Sequence, residues 1–99
     1  MKPGRKLDAL ISEKVMAVIE LGELPKYSTV YSEARKVVDR IMALGFDFRL
    51  EFFFRKDGCI ATFSNESDEY SNDEYVEDAL AICLAALKTV EAEAFKQPR

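Results

Sequence analysis

Gly45-Phe46-Asp47-Phe48-Arg49-Leu50-Glu51-Phe52-Phe53-Phe54-Arg55-Lys56-Asp57-Gly58 breaks the rhythm of the chain in the middle of its 99 residues. From Phe46 onward apolar and charged residues alternate: Phe46, Phe48, Leu50, Phe52 and Phe54 on one face, Asp47, Arg49, Glu51 and Arg55 on the other. A period of two is that of a half-buried strand. Phe53 interrupts the polar face, which suggests that a helix or a partner covers that side too. Lys56-Asp57-Gly58 reads as a tight turn, and Cys59 to Ser64 as the returning strand of a hairpin.

The segments upstream have a helical period. Val30, Ala34, Val37, Val38, Ile41 and Leu44 recur at spacings of three and four and stop at Gly45, which predicts a second helix following Tyr27-Ser28-Thr29, with Ser28 or Thr29 as its cap. Before it, Leu7, Leu10, Ile11, Val15, Val18 and Ile19 predict a first helix from about Leu7 to Leu21, ended by Gly22. After the hairpin comes a polar loop, Asn65 to Asn72. A last helix follows, capped by Asp73 or Ser71, with Val76, Leu80, Cys83, Leu84, Leu87 and Val90 on one stripe and alanines widening it.

The expected fold is therefore a single α+β domain of residues 1–99, structured over about 7–94, ordered helix, helix, β-hairpin, helix. Its expected core holds Leu10, Ile11, Val15, Val38, Ile41, Phe48, Leu50, Phe52, Leu80, Leu84 and Leu87, and a fully buried Leu84 would lose about 2–5 kcal/mol on replacement by alanine. A lone two-stranded sheet is marginal in water. Pairing of sheet edges between two protomers would enlarge it, so a homodimer is expected; a third short strand within residues 64–72 is the competing solution.

Composition narrows the chemistry. Histidine is absent, which removes imidazole-based nucleophile systems and the usual imidazole metal ligands. Cys59 and Cys83 form neither a redox pair nor a zinc set and suit a reducing cytosol. No apolar run approaches the roughly 20 residues that span a bilayer. Residues 57–87 carry eight acids and no base, which argues against binding a phosphate backbone. The stretch from Glu66 to Glu77 has a superficial calcium-loop rhythm, but Tyr70 and Ser71 occupy positions that need an oxygen ligand and a glycine. No cofactor, no metal and no enzyme activity are expected.

Two surfaces remain as candidates. Glu66, Asp68, Glu69, Tyr70, Asp73, Glu74 and Tyr75, together with Phe53, form a candidate partner-binding surface for another protein. Lys26, Tyr27, Ser28, Thr29, Tyr31 and Arg35, around the expected start of the second helix, form an alternative site for a small anion, a nucleotide or another phosphorylated ligand.

The blocks LDALISEKVM at 7–16, YSTVYSEARKVVDRI at 27–41 and EDALAICLAALKTVE at 77–91, in that order, resemble the phage ABA sandwich family. The resemblance implies a small phage or prophage protein of the host cytosol with an α/β/α layered fold, and makes a host or phage protein the expected partner of the acidic surface. It supplies no enzyme mechanism. Family proteins often place tryptophan in the hairpin and the second helix, and this chain has none, so a role resting on tryptophan does not transfer.

Overall fold

The computed structural model describes residues 1–17 and 22–96. Helix α1 (Arg5–Leu10) runs on as a π-helical segment (Ile11–Met16), followed by α2 (Tyr31–Ala43), strands β1 (Asp47–Phe52), β2 (Cys59–Ser64) and β3 (Glu69–Ser71), and helix α3 (Asp78–Lys96). The order is the expected helix, helix, strands, helix. The strands form one antiparallel sheet, β1-β2-β3, with Phe48 opposite Phe63, Leu50 opposite Ala61 and Phe63 opposite Tyr70.

Alternation sorts the sheet into two faces. Phe48, Leu50, Cys59, Ala61, Phe63 and Tyr70 turn toward the core. Asp47, Arg49, Glu51, Thr62 and Glu69 share the opposite face, where Arg49 donates to Glu51 at 2.7 Å and to Glu69 at 3.1 Å. The short third strand settles the choice between an isolated hairpin and a larger sheet in favour of the latter. Asn65 makes its turn, with Oδ1 accepting from the N–H groups of Ser67 and Asp68 at 2.9 and 2.8 Å.

Helix α3 is the centre of the molecule. It packs against α2, β2, β3 and the π-helical segment, and Ala79, Ala81, Ile82, Cys83, Ala85, Ala86 and Thr89 are all buried. A stripe-based reading missed Ile82 because a helix covered on several sides keeps only a narrow solvent face, through Leu84, Lys88 and Glu91, and buries residues well outside one stripe. Small side chains let its neighbours approach from each direction. Leu84, by contrast, is only partly buried. Leu84→Ala is accordingly expected to cost about 1–2 kcal/mol, below the range for a fully buried leucine, measured by urea unfolding.

Several boundaries differ from expectation. The first helix ends at Met16, with Ala17 in the left-handed region at φ 56° and its N–H on the carbonyl of Ser12, rather than at Gly22. The expected contributions of Val18 and Ile19, and the expected helical stretch to Leu21, lie outside the described residues. Val30, not Ser28 or Thr29, precedes α2, and no side chain caps it. Helix α3 begins at Asp78, whose own Oδ1 accepts from Ala79 N–H at 2.6 Å, so neither Ser71 nor Asp73 is its cap.

The largest difference lies between the first two strands. Phe52 pairs with Cys59, leaving residues 53–58 as a six-residue connection instead of a tight turn. Phe52 is 69% exposed and Phe54 98% exposed, so neither joins the core. Phe53 falls beyond the strand's end and meets Tyr75 edge-on, with ring centroids 5.3 Å apart. Cys59, the partner of Phe52, also bridges Val76 on its other side, its N–H donating to the Val76 carbonyl at 2.8 Å, so the first residue of β2 is held from both sides.

Candidate functional site

Ser28 sits in a turn, not at a helix start, and is almost completely buried. Its N–H and Oγ–H both donate to Oδ1 of Asp8, at 2.8 and 2.6 Å, while its Oγ accepts from Gly4 N–H at 2.9 Å. The chain's own carboxylate thus takes the place that an external anion would need at this residue. The contact also pins the start of α1 to the segment before α2.

The remaining residues of that group point in different directions. Tyr27 is buried, whereas Thr29 and Tyr31 are exposed. Arg35 faces Asp39 at 3.6 Å along α2. Lys26 and Thr29 line a cleft of about 380 Å³ together with Arg5, Glu23 and Asp8, a lining of mixed charge. The structure does not bring Lys26, Ser28, Tyr31 and Arg35 to one point.

The candidate partner surface divides in two, one part at each end of β2. At one end, Asp68 pairs with Lys96, whose ammonium also lies 3.4 Å from Glu93 and 5.7 Å from the centre of the Tyr70 ring. Tyr70 Oη–H donates to Glu93 at 2.8 Å. Hydrogen bonding to Asp68, and then to Tyr70, holds the Lys96 ammonium above its ordinary value. Lys96 pulls the Tyr70 phenol down, but burial and Glu93 outweigh it and the net direction is up. Glu69 is held by Arg49, whose guanidinium is raised first by Glu51 and then by Glu69. Much of this acidic surface is therefore neutralised from within the chain. Among the described residues Glu66 makes no ion pair.

At the other end, on the order of 17 Å away along the strand, Asp73 pairs with Lys88, and Glu74 and Tyr75 lead into the Val76 bridge. Here Phe53 and Tyr75 stack edge-on, and the Lys56 ammonium lies 5.4 Å from the Tyr75 ring centre. Phe52 and Phe54 stand beside them, exposed. Phe53 and Tyr75 were among the expected partner-binding residues, but Phe52 and Phe54 were not, because alternation continues through Phe54 and places both on the apolar strand face, with Phe52 in the expected core. The signal was present in the Phe-Phe-Phe run itself, which a single strand face cannot absorb.

Both cysteines are buried and reduced. Burial, then the Asp8 carboxylate, pushes the Cys83 thiol from the ordinary 9.0 up to about 12; burial and then Asp78 raise Cys59. Protonated thiols are poor nucleophiles. A raised folded-state value means that stability is intact below the unfolded thiol's 9.0 and declines as pH rises toward about 12. Expected measurements are negligible alkylation of the native protein by iodoacetamide at pH 8, full alkylation in urea, and a midpoint of unfolding that falls above pH 9 less steeply in Cys83→Ala. Among the described residues no group of three metal-ligating side chains occurs, and no helix is long and apolar enough to cross a membrane.

No family model matches the chain, and no curated protein matches it. Its fold is similar to that of a phage protein from Bacillus cereus ATCC 14579, solved by crystallography, with a TM-score of 0.73 over 92% of this chain and 89% of that one at 23% identity. The likeness establishes the layered α+β fold.

Proposed function

We propose that the chain is a non-enzymatic phage or prophage accessory protein of the host cytosol, related to the phage ABA sandwich proteins, that works as a protein-interaction module. The observation that carries this reading is the aromatic cluster at the β1–β2 end, where Phe52, Phe53, Phe54 and Tyr75 are all exposed. Clustered aromatics on a small domain, bordered by charge, are the kind of surface that anchors a protein partner. Asp57, Glu74 and Glu77 are exposed in the adjoining segments. A partner offering an apolar pocket rimmed by basic residues matches that surface, with charge speeding encounter and the rings supplying most of the affinity. The buried, protonated thiols and the lack of histidine support the non-enzymatic part of the reading.

The small-anion alternative draws no support from the site, because Asp8 occupies the donors of Ser28. Phe54→Ser tests the favoured reading with little risk to the fold, since the ring is 98% exposed. The substitution is expected to leave the thermal midpoint unchanged while weakening capture of a partner from infected-cell lysate about tenfold, the effect of losing roughly 1.4 kcal/mol at an anchor. Equal capture by both forms would remove Phe54 and the aromatic end from the interaction.

A further inference from the structure

The two edges of the sheet are not alike. Strand β3 is three residues long, and the Asn72 side chain continues its pairing with β2, which leaves little open backbone on that side. Strand β1 is six residues long and, among the described residues, pairs only with β2. It carries no proline and no bulge, and its register with β2 is uninterrupted. Long, flat, unpaired edges are what monomeric sheet proteins normally blunt. Phe52, at the end of this edge, is 69% exposed.

We propose that β1 pairs antiparallel with β1 of a second copy of this chain across a two-fold axis at Leu50, giving a continuous six-stranded sheet. This interface shares only Phe52 with the aromatic partner surface, whose other members, Phe53, Phe54 and Tyr75, lie beyond the strand.

The charge pattern selects both the occupant and the register. A two-fold axis normal to the sheet preserves its faces, so residues opposite one another come from the same face. Centred on Leu50, the pairing sets Arg49 against Glu51 of the second copy, twice by symmetry, Leu50 against Leu50, and Phe48 against Phe52. Centred on Arg49 it would oppose Arg49 to Arg49 and Asp47 to Glu51, both like-charged and destabilising. Centred on Glu51 it would oppose two glutamates. Centring on Phe48 opposes Asp47 to Arg49 favourably but pairs only the first half of the strand. The Leu50 register alone joins unlike charges over most of β1 and also covers Phe52. Directly opposite side chains stand about 4.5–5.5 Å apart at Cβ, closer than next-but-one neighbours on one strand, so Arg49 would gain a nearer carboxylate than Glu51 of its own chain.

Size-exclusion chromatography with light scattering should return twice the 11.3 kDa chain mass at high concentration. Glu51→Arg should weaken self-association at least about tenfold, and adding Arg49→Glu to it should restore association, because the exchange recreates the opposite pairing. Both side chains are on the open face of the sheet, so circular dichroism should report an unchanged fold. Leu50→Cys under mild oxidation should form an intermolecular disulfide, and Arg49→Cys should not, since only residue 50 meets itself. A mass of one chain at every concentration would overturn the proposal, as would a dimer indifferent to Glu51→Arg. Cross-linking through residue 49 in preference to residue 50 would overturn the register.

Discussion

Gly58→Ala is expected to destabilise the protein by about 4 kcal/mol, most of the stability of a domain at the low end of the ordinary range. Two independent terms act at this residue. Its φ of +102° lies where an L side chain is strained, at roughly 1–3 kcal/mol. A Cβ would also stand 2.6 Å from both the backbone N and O of Val76, far inside the ordinary contact distance. That second collision is with backbone and cannot be relieved by turning a side chain; overpacking of this kind costs roughly 1–3 kcal/mol more. Gly45 separates the two terms, because it has the same φ of +102° but nothing within 4 Å of an added Cβ. Gly45→Ala should therefore cost only about 1–2 kcal/mol. Urea unfolding of the two variants decides the matter: equal losses would mean that the Val76 bridge does not press on residue 58.

Asn72→Ala ranks next, at about 3 kcal/mol. The Asn72 side chain behaves as one more residue of backbone in the sheet: Oδ1 accepts from Ala61 N–H at 2.8 Å, and Nδ2 donates to the carbonyls of Glu74 at 2.6 Å and Cys59 at 3.4 Å. Alanine leaves the Ala61 N–H buried without an acceptor, at roughly 1–3 kcal/mol, and removes two further hydrogen bonds worth about 0.5–1.5 kcal/mol each. Asn72→Asp gives a sharper result. A carboxylate there faces two carbonyl oxygens, so the folded state favours the protonated acid and raises its pKa above the unfolded value of about 3.9. Its stability relative to wild type should be greatest below that value and fall as pH rises through the raised one. Guanidinium unfolding of both proteins from acid to neutral pH measures it; a difference independent of pH would place the side chain in water.

These two residues show where sequence reasoning reached and where it stopped. The face of Val37, Val38 and Ile41 and the strand from Cys59 to Ser64 were legible because their information is periodic and local. Asn72 lies within a run of acids and serines, and nothing in that run says that its amide will meet Ala61, eleven residues earlier. The Asp8 and Ser28 contact spans twenty residues and has no periodic trace at all. Ala17 in a left-handed conformation is likewise invisible, since helix ends are normally announced by glycine or asparagine. Of the candidate site residues, the acids were legible as a charge density, but not their neutralisation by Lys88, Lys96 and Arg49, which lie in other elements. Phe52 and Phe54 were read onto the buried face because period two in the sequence runs on through and past the end of β1 at Phe52, where burial stops.

The central placement of α3 reaches into the synthesis of the chain. The helix that touches the sheet, α2 and the π-helical segment is the one that follows them all in chain order. A nascent chain that has emerged only as far as residue 77 holds the surfaces of Phe63, Ala61, Val37 and Ile11 with nothing to close over them. At roughly 5–20 residues per second, the 19 residues of α3 take about 1–4 s to be added, so the sheet and α2 are made seconds before the helix that covers them. Docking of α3 is thus the step that closes the core.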